Sequence, residues 1–234
     1  MYFPGFLFDP TMILLIPGII LAMYAQGKVQ STFHKYSRVL SNRGITGAQI
    51  ARIILDGYGL NDVEIEMTGG HLSDHYDPRS RKVRLSNEVY RGSSLASLGV
   101  AAHEVGHAIQ HDTGYVPLHI RNSIVPVTQI GSTLSFPLLL LGLLMGIQPL
   151  AQLGVLLFTG VVLFQVITLP VEFNASSRAL AILDREGFLS REELVGTKKV
   201  LDAAALTYVA AALMAALNLV RLLIISGMLG GRRD

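Results

Sequence analysis

The chain has 234 residues, 50% of them hydrophobic, a formal net charge of +2 and no cysteine. With a mean hydropathy of +0.46 it is too apolar for an ordinary soluble domain, so part of its surface must face lipid. The lack of cysteine excludes disulfides and thiolate zinc sites, which agrees with a cytoplasmic domain. We find no internal repeat, phosphate-binding glycine loop or basic patch, so no nucleic-acid partner is expected.

The first predicted element is a membrane span. Residues 10–27 carry no charge and are about long enough to cross a bilayer, with Pro17 and Gly18 near the middle. No basic residue precedes Lys28, whereas a signal peptide has a basic start. We therefore predict that residues 1–27 form a retained transmembrane helix.

The chain then becomes polar over residues 28–121, which we predict to be the first part of a folded domain. An amphipathic helix is predicted at residues 47–58, with Ile50, Ile53 and Ile54 on one side. This apolar side would pack into the domain core.

Two short segments, 63–67 and 82–86, alternate in polarity as strands do. Between them, residues 71–79 are typical of a loop or turn. If the second strand lies at the edge of the sheet, it could pair with the backbone of a peptide substrate. A strand that merely completes a small sheet fits the pattern equally well.

The next element is a helix predicted over residues 94–113, because Ser93 and Ser94 offer an N-cap and Gly114 offers a stop. One face of this helix carries apolar side chains for a core: Leu95, Leu98, Ala102, Val105 and Ile109. The opposite face carries histidines: His103, His107 and His111.

The run His103-Glu104-Val105-Gly106-His107 has the H-E-x-x-H spacing of zinc peptidases. On a helix the two imidazoles lie one turn apart and can bind one metal ion. Glu104 lies about 100° round the helix, where it would be free to take a proton from a water. Six of the seven histidines fall between residues 71 and 119, which favours a metal site over scattered surface histidines.

A tetrahedral zinc ion needs a third protein ligand, for which three residues are candidates. His111 lies on the same helix, and one straight helix cannot wrap three ligands round one ion. Asp112 is better suited to hold an imidazole N–H or to be a solvated helix-end charge. Glu172 is the first charged residue after fifty uncharged ones and opens a helix-compatible segment. It could instead be an ordinary charge at the membrane boundary.

The uncharged segment, residues 122–171, is too long for one span and fits a hairpin of two helices broken near residues 146–149. A hairpin returns the chain to the side of the membrane that it left. Glu172 would then lie on the same face as His107, which favours Glu172 as the third ligand.

Residues 172–202 are charged again and are predicted to complete the same domain. Residues 203–234 form a last transmembrane helix and tail, in which Arg221 can extend to the headgroups. Alanine clusters at 203–205 and 210–212 would let this helix pack closely against another. Four spans result.

Lysine and arginine residues near the span ends predict the orientation. The domain side carries most of them: Lys28, Lys35, Arg38, Arg121, Arg178, Arg185, Lys198 and Lys199. The other side has Arg232 and Arg233, with Arg221 as a further candidate. We therefore predict a multi-pass protein of the plasma membrane whose domain faces the cytoplasm.

Three segments together resemble the YugP-type neutral zinc metallopeptidases of bacteria, over nearly the whole chain: His103-Glu104-Val105-Gly106-His107-Ala108-Ile109-Gln110, His75-Tyr76-Asp77-Pro78 and Glu172-Phe173-Asn174-Ala175-Ser176. The order of H-E-x-x-H, two spans and a glutamate is also similar to the HtpX-type and CAAX prenyl peptidases. In those families this glutamate is the third zinc ligand, which implies the same role for Glu172. They also have an aspartate four residues later, where this chain has Ser176.

The resemblance implies a mainly α fold with a small β-sheet, in which a zincin-like (gluzincin-type) catalytic domain is fused to about four transmembrane helices. It implies a Zn²⁺ ion held by His103, His107 and Glu172. Four other residues are possible outer partners of the site or substrate contacts: His75, Tyr76, His111 and Ser176. For His75 and Tyr76, an oxyanion contact and a structural turn are the two alternatives.

The predicted function is a membrane-embedded zinc metalloendopeptidase with Glu104 as general base, acting on membrane-associated or unfolded polypeptides. One alternative is a metal-binding accessory or quality-control protein without peptidase activity, which would not need Glu104. A small transporter is the other, but the spans offer almost no ionisable residues for a transport path.

Overall fold

The structure is a computed structural model that describes residues 10–229. A 3₁₀ turn, Pro10–Leu15, precedes the first helix. The helices are α1 (Ile16–Tyr36), α2 (Gly47–Gly57), α3 (Asn87–Arg91), α4 (Leu95–Asp112), α5 (Val116–Met145), α6 (Gln148–Arg185) and α7 (Arg191–Ile225). The strands are β1 (Glu64–Thr68), β2 (His75–Asp77) and β3 (Lys82–Ser86). The expected mainly α fold with a small sheet is confirmed.

Four helical segments are long and apolar enough to cross a membrane: Pro10–Tyr36, Val116–Met145, Gln148–Arg185 and Arg191–Ile225. Their number matches the prediction. The parts of the first and last predicted spans at residues 1–9 and 230–234 lie outside the described residues, as do Arg232 and Arg233.

The chain divides into two compact units. The first, which we call the apolar unit, comprises residues 120–169 with the described parts of 1–24 and 207–234. Here α5 and α6 form the predicted hairpin, which turns at Gly146 with φ +67°. The two helices can lie close together because residue 154 is glycine. A β-carbon at this position would come within 2.6 Å of the Ser135 carbonyl oxygen.

The second, the polar unit, comprises residues 25–119 and 170–206. Its sheet has the order β1-β3-β2, with β3 parallel to β1 and antiparallel to β2. The suggestion that Lys82–Ser86 is an edge strand is therefore wrong, because β3 is central and buries Val83 and Leu85. The loop predicted at 71–79 is wrong in part, since β2 lies within it and pairs with β3.

Helix α2 begins at a capping box in which Thr46 and Gln49 bond each other's backbone N–H groups. Ile50 and Ile54 are buried as predicted, but Ile53 is 46% exposed. The three isoleucines span a wider arc of the helix surface than the arc that packs against the core, so Ile53 remains outside it.

The helix-compatible segment predicted to open at Glu172 does not begin at that residue. Helix α6 continues from Gln148 to Arg185 without a break, so Glu172 lies well inside it. Pro170 does not end the helix either. The change from apolar to charged composition therefore occurs within one helix, because composition alone does not interrupt backbone hydrogen bonding.

Candidate active site

Helix α4 carries the H-E-x-x-H run inside the polar unit. Its N-cap is Ser94, whose side chain accepts a hydrogen bond from the Ser97 N–H, and Gly114 follows its end with φ +65°. The five apolar residues predicted to face the core are buried: Leu95, Leu98, Ala102, Val105 and Ile109. The rings of His103 and His107 meet edge to face with their centroids 4.7 Å apart.

Glu172 on α6 approaches both imidazoles. Its Oε2 lies 3.3 Å from His103 Nε2 and 3.5 Å from His107 Nε2. Glu172 is only 4% exposed. Within residues 10–229, one group of at least three His, Asp or Glu side chains could hold a metal ion, and it consists of His103, His107 and Glu172. Their ligand atoms all lie within 4.8 Å of one another.

The spacing of these atoms fits a zinc ion. Zinc–nitrogen and zinc–oxygen bonds of about 2.0–2.1 Å at tetrahedral angles place neighbouring ligand atoms about 3.3 Å apart. The two distances to Glu172 Oε2, 3.3 and 3.5 Å, are close to that edge length. His103, His107 and Glu172 would supply three corners of a tetrahedron.

Each histidine also has a neutral partner for its other ring nitrogen. His107 Nδ1 lies 3.0 Å from Gln110 Oε1, and His103 Nδ1 lies 3.1 Å from Ser176 Oγ. Donation from Nδ1 to these oxygens would leave the Nε2 lone pair of each ring available to a metal ion held between the histidines and Glu172. Outer partners of this kind fix the tautomer and ring orientation of metal-binding histidines.

Gln110 links the two helices of the site. It is fully buried, and its Nε2 donates to the Val171 carbonyl at 2.8 Å and to Asn174 Oδ1 at 2.9 Å. Asn174 Oδ1 also accepts a hydrogen bond from Arg178 Nε at 2.8 Å. Gln110 was not among the residues predicted from the sequence, although a buried amide three residues after His107 is a signal for such a partner.

The electrostatics of the cluster favour positive charge at its centre. Burial disfavours the charged imidazole of His107, but the neighbouring Glu172 carboxylate raises the pKa of His107 above its ordinary value. A site that raises the pKa of a buried imidazole in this way also attracts a metal cation.

Glu104 is buried beside this cluster, with 8% of its surface exposed. Burial raises the pKa of the Glu104 carboxyl, although both neighbouring histidines act in the opposite direction. A carboxylate with a raised pKa accepts a proton more readily than an exposed one, as a general base must.

The other residues singled out from the sequence lie elsewhere. The Tyr76 hydroxyl bonds His111 Nδ1 at 2.9 Å, and the rings of His111 and His119 lie 6.1 Å apart. Burial lowers the pKa of His111. His75 is exposed, and its Nδ1 lies 2.9 Å from the Ser73 carbonyl oxygen. Of the four possible outer residues, the structure brings only Ser176 to the cluster.

The fold and the cluster define a class: a largely helical protein with four candidate membrane spans and a buried His-His-Glu group able to hold a metal. Residues 11–227 match the family described as "putative neutral zinc metallopeptidase", and the chain belongs to this family. It is 51% identical over 221 residues to the "putative membrane protease YugP" of Bacillus subtilis (strain 168). That match covers 94% of this chain and 97% of the relative. No solved structure matches the chain.

Proposed function

We propose that the protein is a zinc-dependent endopeptidase of the membrane, with a gluzincin-type site. The observation that carries the proposal is the position of Glu172 Oε2, at 3.3 and 3.5 Å from the two Nε2 atoms of the H-E-x-x-H helix. Membership of a zinc metallopeptidase family supports the choice of metal.

In this proposal His103, His107 and Glu172 hold the ion, and Gln110 and Ser176 orient the two imidazoles. When bound, zinc would lower the pKa of a bound water to about 7 and would polarise the peptide carbonyl. Glu104 takes the proton of the attacking water and passes it to the leaving amine, so one carboxylate acts first as base and then as acid. Its burial and its raised pKa suit both steps.

The substrate is proposed to be a membrane-associated or unfolded polypeptide. Four candidate spans and the "membrane protease" relative support a membrane location. A folded soluble protein would rarely present an extended backbone to a buried site, whereas an unfolded chain does so readily. Among the described residues, β1 and β2 are the edge strands of the sheet and could pair with such a backbone.

The test compares cleavage of β-casein, an unfolded protein, by the detergent-purified chain and by Glu104→Gln. We expect the wild type to cleave with zinc present and to stop when a chelator removes the metal. Glu104→Gln should bind zinc normally and be inactive. A metal-binding accessory protein without peptidase activity would bind zinc equally in both and cleave in neither, and that result would overturn the proposal.

A further inference from the structure

A cavity lies in the polar unit, between the last turns of α1 and the first half of α7. Its volume is about 470 Å³, within the range of small-molecule sites. Helix α1 lines it with residues at helical spacing on one face: Lys28, Thr32, Lys35 and Tyr36. Helix α7 does the same with Lys199, Asp202, Ala203 and Leu206.

The three lysines of this cavity are available for a ligand. Among residues 10–229, none of Lys28, Lys35 and Lys199 makes an ion pair; Lys35 only lies over the Tyr36 ring, 5.5 Å from its centroid. Asp202, the one acidic residue among the described residues that line the cavity, pairs with Lys198 at 2.6 Å. The cavity is electropositive, because three lysines line it and its carboxylate already pairs with Lys198. An electropositive cavity favours the binding of an anion.

The cavity also offers neutral polar groups. Thr32 is 8% exposed, and within the described part of the chain its hydroxyl makes no side-chain hydrogen bond. Tyr36 lies against α7 because residue 196 is glycine, where a β-carbon would come within 2.8 Å of the Tyr36 ring. A buried hydroxyl beside lysines suits phosphate oxygens, which accept several hydrogen bonds.

Both walls of the cavity change from charged to uncharged sequence at the same level. Residues 16–27 of α1 carry no charge and are followed by Lys28, while residues 203–220 of α7 carry none and follow Asp202. If these segments lie in the hydrocarbon, the lysines lie at the depth of the lipid headgroups. Ala203 and Leu206 would then face the start of the acyl chains.

We propose that this cavity binds the phosphate headgroup of an anionic phospholipid, with Lys28, Lys35 and Lys199 as its cationic contacts. Basic pockets between spans on the cytoplasmic side bind anionic headgroups by this chemistry. The inference rests on the proposed membrane location and on neither the metal cluster nor peptidase activity. Such a lipid would tie α1 to α7 at the membrane surface.

The test is native mass spectrometry of the detergent-purified chain titrated with phosphatidylglycerol or phosphatidylcholine. The wild type should bind phosphatidylglycerol selectively. Replacing Lys28, Lys35 and Lys199 with Gln should weaken that binding by roughly fivefold for each lysine. Asp202→Asn should strengthen the binding of phosphatidylglycerol, because it removes the one acidic group among the described residues that line the cavity. Equal selectivity in the wild type and the triple variant would overturn the proposal.

A matched control replaces three exposed arginines outside the cavity, Arg79, Arg91 and Arg191, with Gln. This variant loses the same net charge and should bind phosphatidylglycerol as the wild type does. Inorganic phosphate distinguishes the source of the ligand: if it displaces the lipid at micromolar concentration, the cavity is a site for a soluble anion and the lipid assignment is wrong. A far-ultraviolet circular dichroism spectrum and a thermal midpoint equal to those of the wild type would show that the triple variant is folded.

Carbonate extraction of membranes distinguishes a failure of the proposed membrane location from a failure of the proposed lipid site. If the wild type is washed off, the membrane location fails. If the wild type stays and the lysine variant keeps its lipid selectivity, the cavity assignment alone fails.

Discussion

Gly106 faces the backbone of Ala175 so closely that a β-carbon at residue 106 would lie 2.8 Å from the Ala175 carbonyl oxygen. This approach brings α6 against α4 at the level of the His-His-Glu cluster, one turn of α6 beyond Glu172. The glycine inside the H-E-x-x-H run therefore determines how near Glu172 comes to His103 and His107.

The first prediction is that Gly106→Ala disrupts the metal site. The added methyl group meets backbone, which cannot rotate away, so α6 must shift and carry Glu172 with it. We expect zinc affinity to fall at least tenfold, because bonds of about 2 Å tolerate little displacement. Zinc content and affinity, measured with a competing chelator, check this.

Gly160→Ala is the matched control for that change. Gly160 is also helical, lies on α6, and has nothing within 4 Å of the position that a β-carbon would occupy. This substitution should leave zinc binding unchanged and stabilise the helix by about 0.5–1 kcal/mol. Equal zinc affinity in the two alanine variants would show that the close approach of α4 and α6 does not position Glu172.

The sequence predicts those parts of this site that depend on residues close together in the chain, and it misses those that depend on contacts between distant helices. Helix α4 follows from local signals, namely the Ser94 cap and the apolar face, and its predicted bounds agree with the structure. The hairpin predicts that Glu172 lies on the same membrane face as His107, although the two residues are far apart in sequence. Gln110 and Gly106 were missed because their roles exist only once α6 packs on α4.

The sheet could be predicted only in part, because its shortest strand and its strand order depend on pairing between strands. A strand of three residues, β2, has too few residues for its alternation to be distinguished from a turn, and only pairing with β3 reveals it. The order β1-β3-β2 likewise depends on a parallel crossover that no local pattern contains.

The second prediction separates Glu172 from His111. Glu172→Ala should lower zinc affinity by more than the roughly 100-fold that losing an outer partner costs, because it removes an atom of the proposed coordination shell. His111→Ala should leave zinc affinity within about threefold of the wild type, since His111 bonds Tyr76 and not the cluster. Metal content after dialysis at defined free zinc measures both. Zinc loss in His111→Ala alone would contradict the assignment.

The third prediction concerns Gln110 as a positioning residue. Gln110→Leu removes the acceptor of the His107 Nδ1 proton and the donor to the Val171 carbonyl. We expect zinc affinity to fall roughly 10- to 100-fold. Gln148→Leu serves as the control, because Gln148 also donates to a backbone carbonyl, that of Ser226, but lies in the apolar unit. If both leucine variants lose stability while both keep wild-type zinc affinity, Gln110 has only a structural role.

The last prediction is that Ser31 and Ile147 lie on opposite sides of the membrane. Four spans require it, because Ser31 follows the first apolar segment whereas Ile147 lies in the turn between α5 and α6. Both side chains are exposed, and the chain has no cysteine of its own, so a single cysteine at either position reports its own side alone. The excess of lysine and arginine beside Ser31 predicts that this side faces the cytoplasm. In intact cells a membrane-impermeant maleimide should therefore label Ile147→Cys, and it should label Ser31→Cys only after the cells are permeabilised. Labelling of Ser31→Cys in intact cells, with Ile147→Cys protected, would reverse the orientation, and labelling of both would contradict four spans.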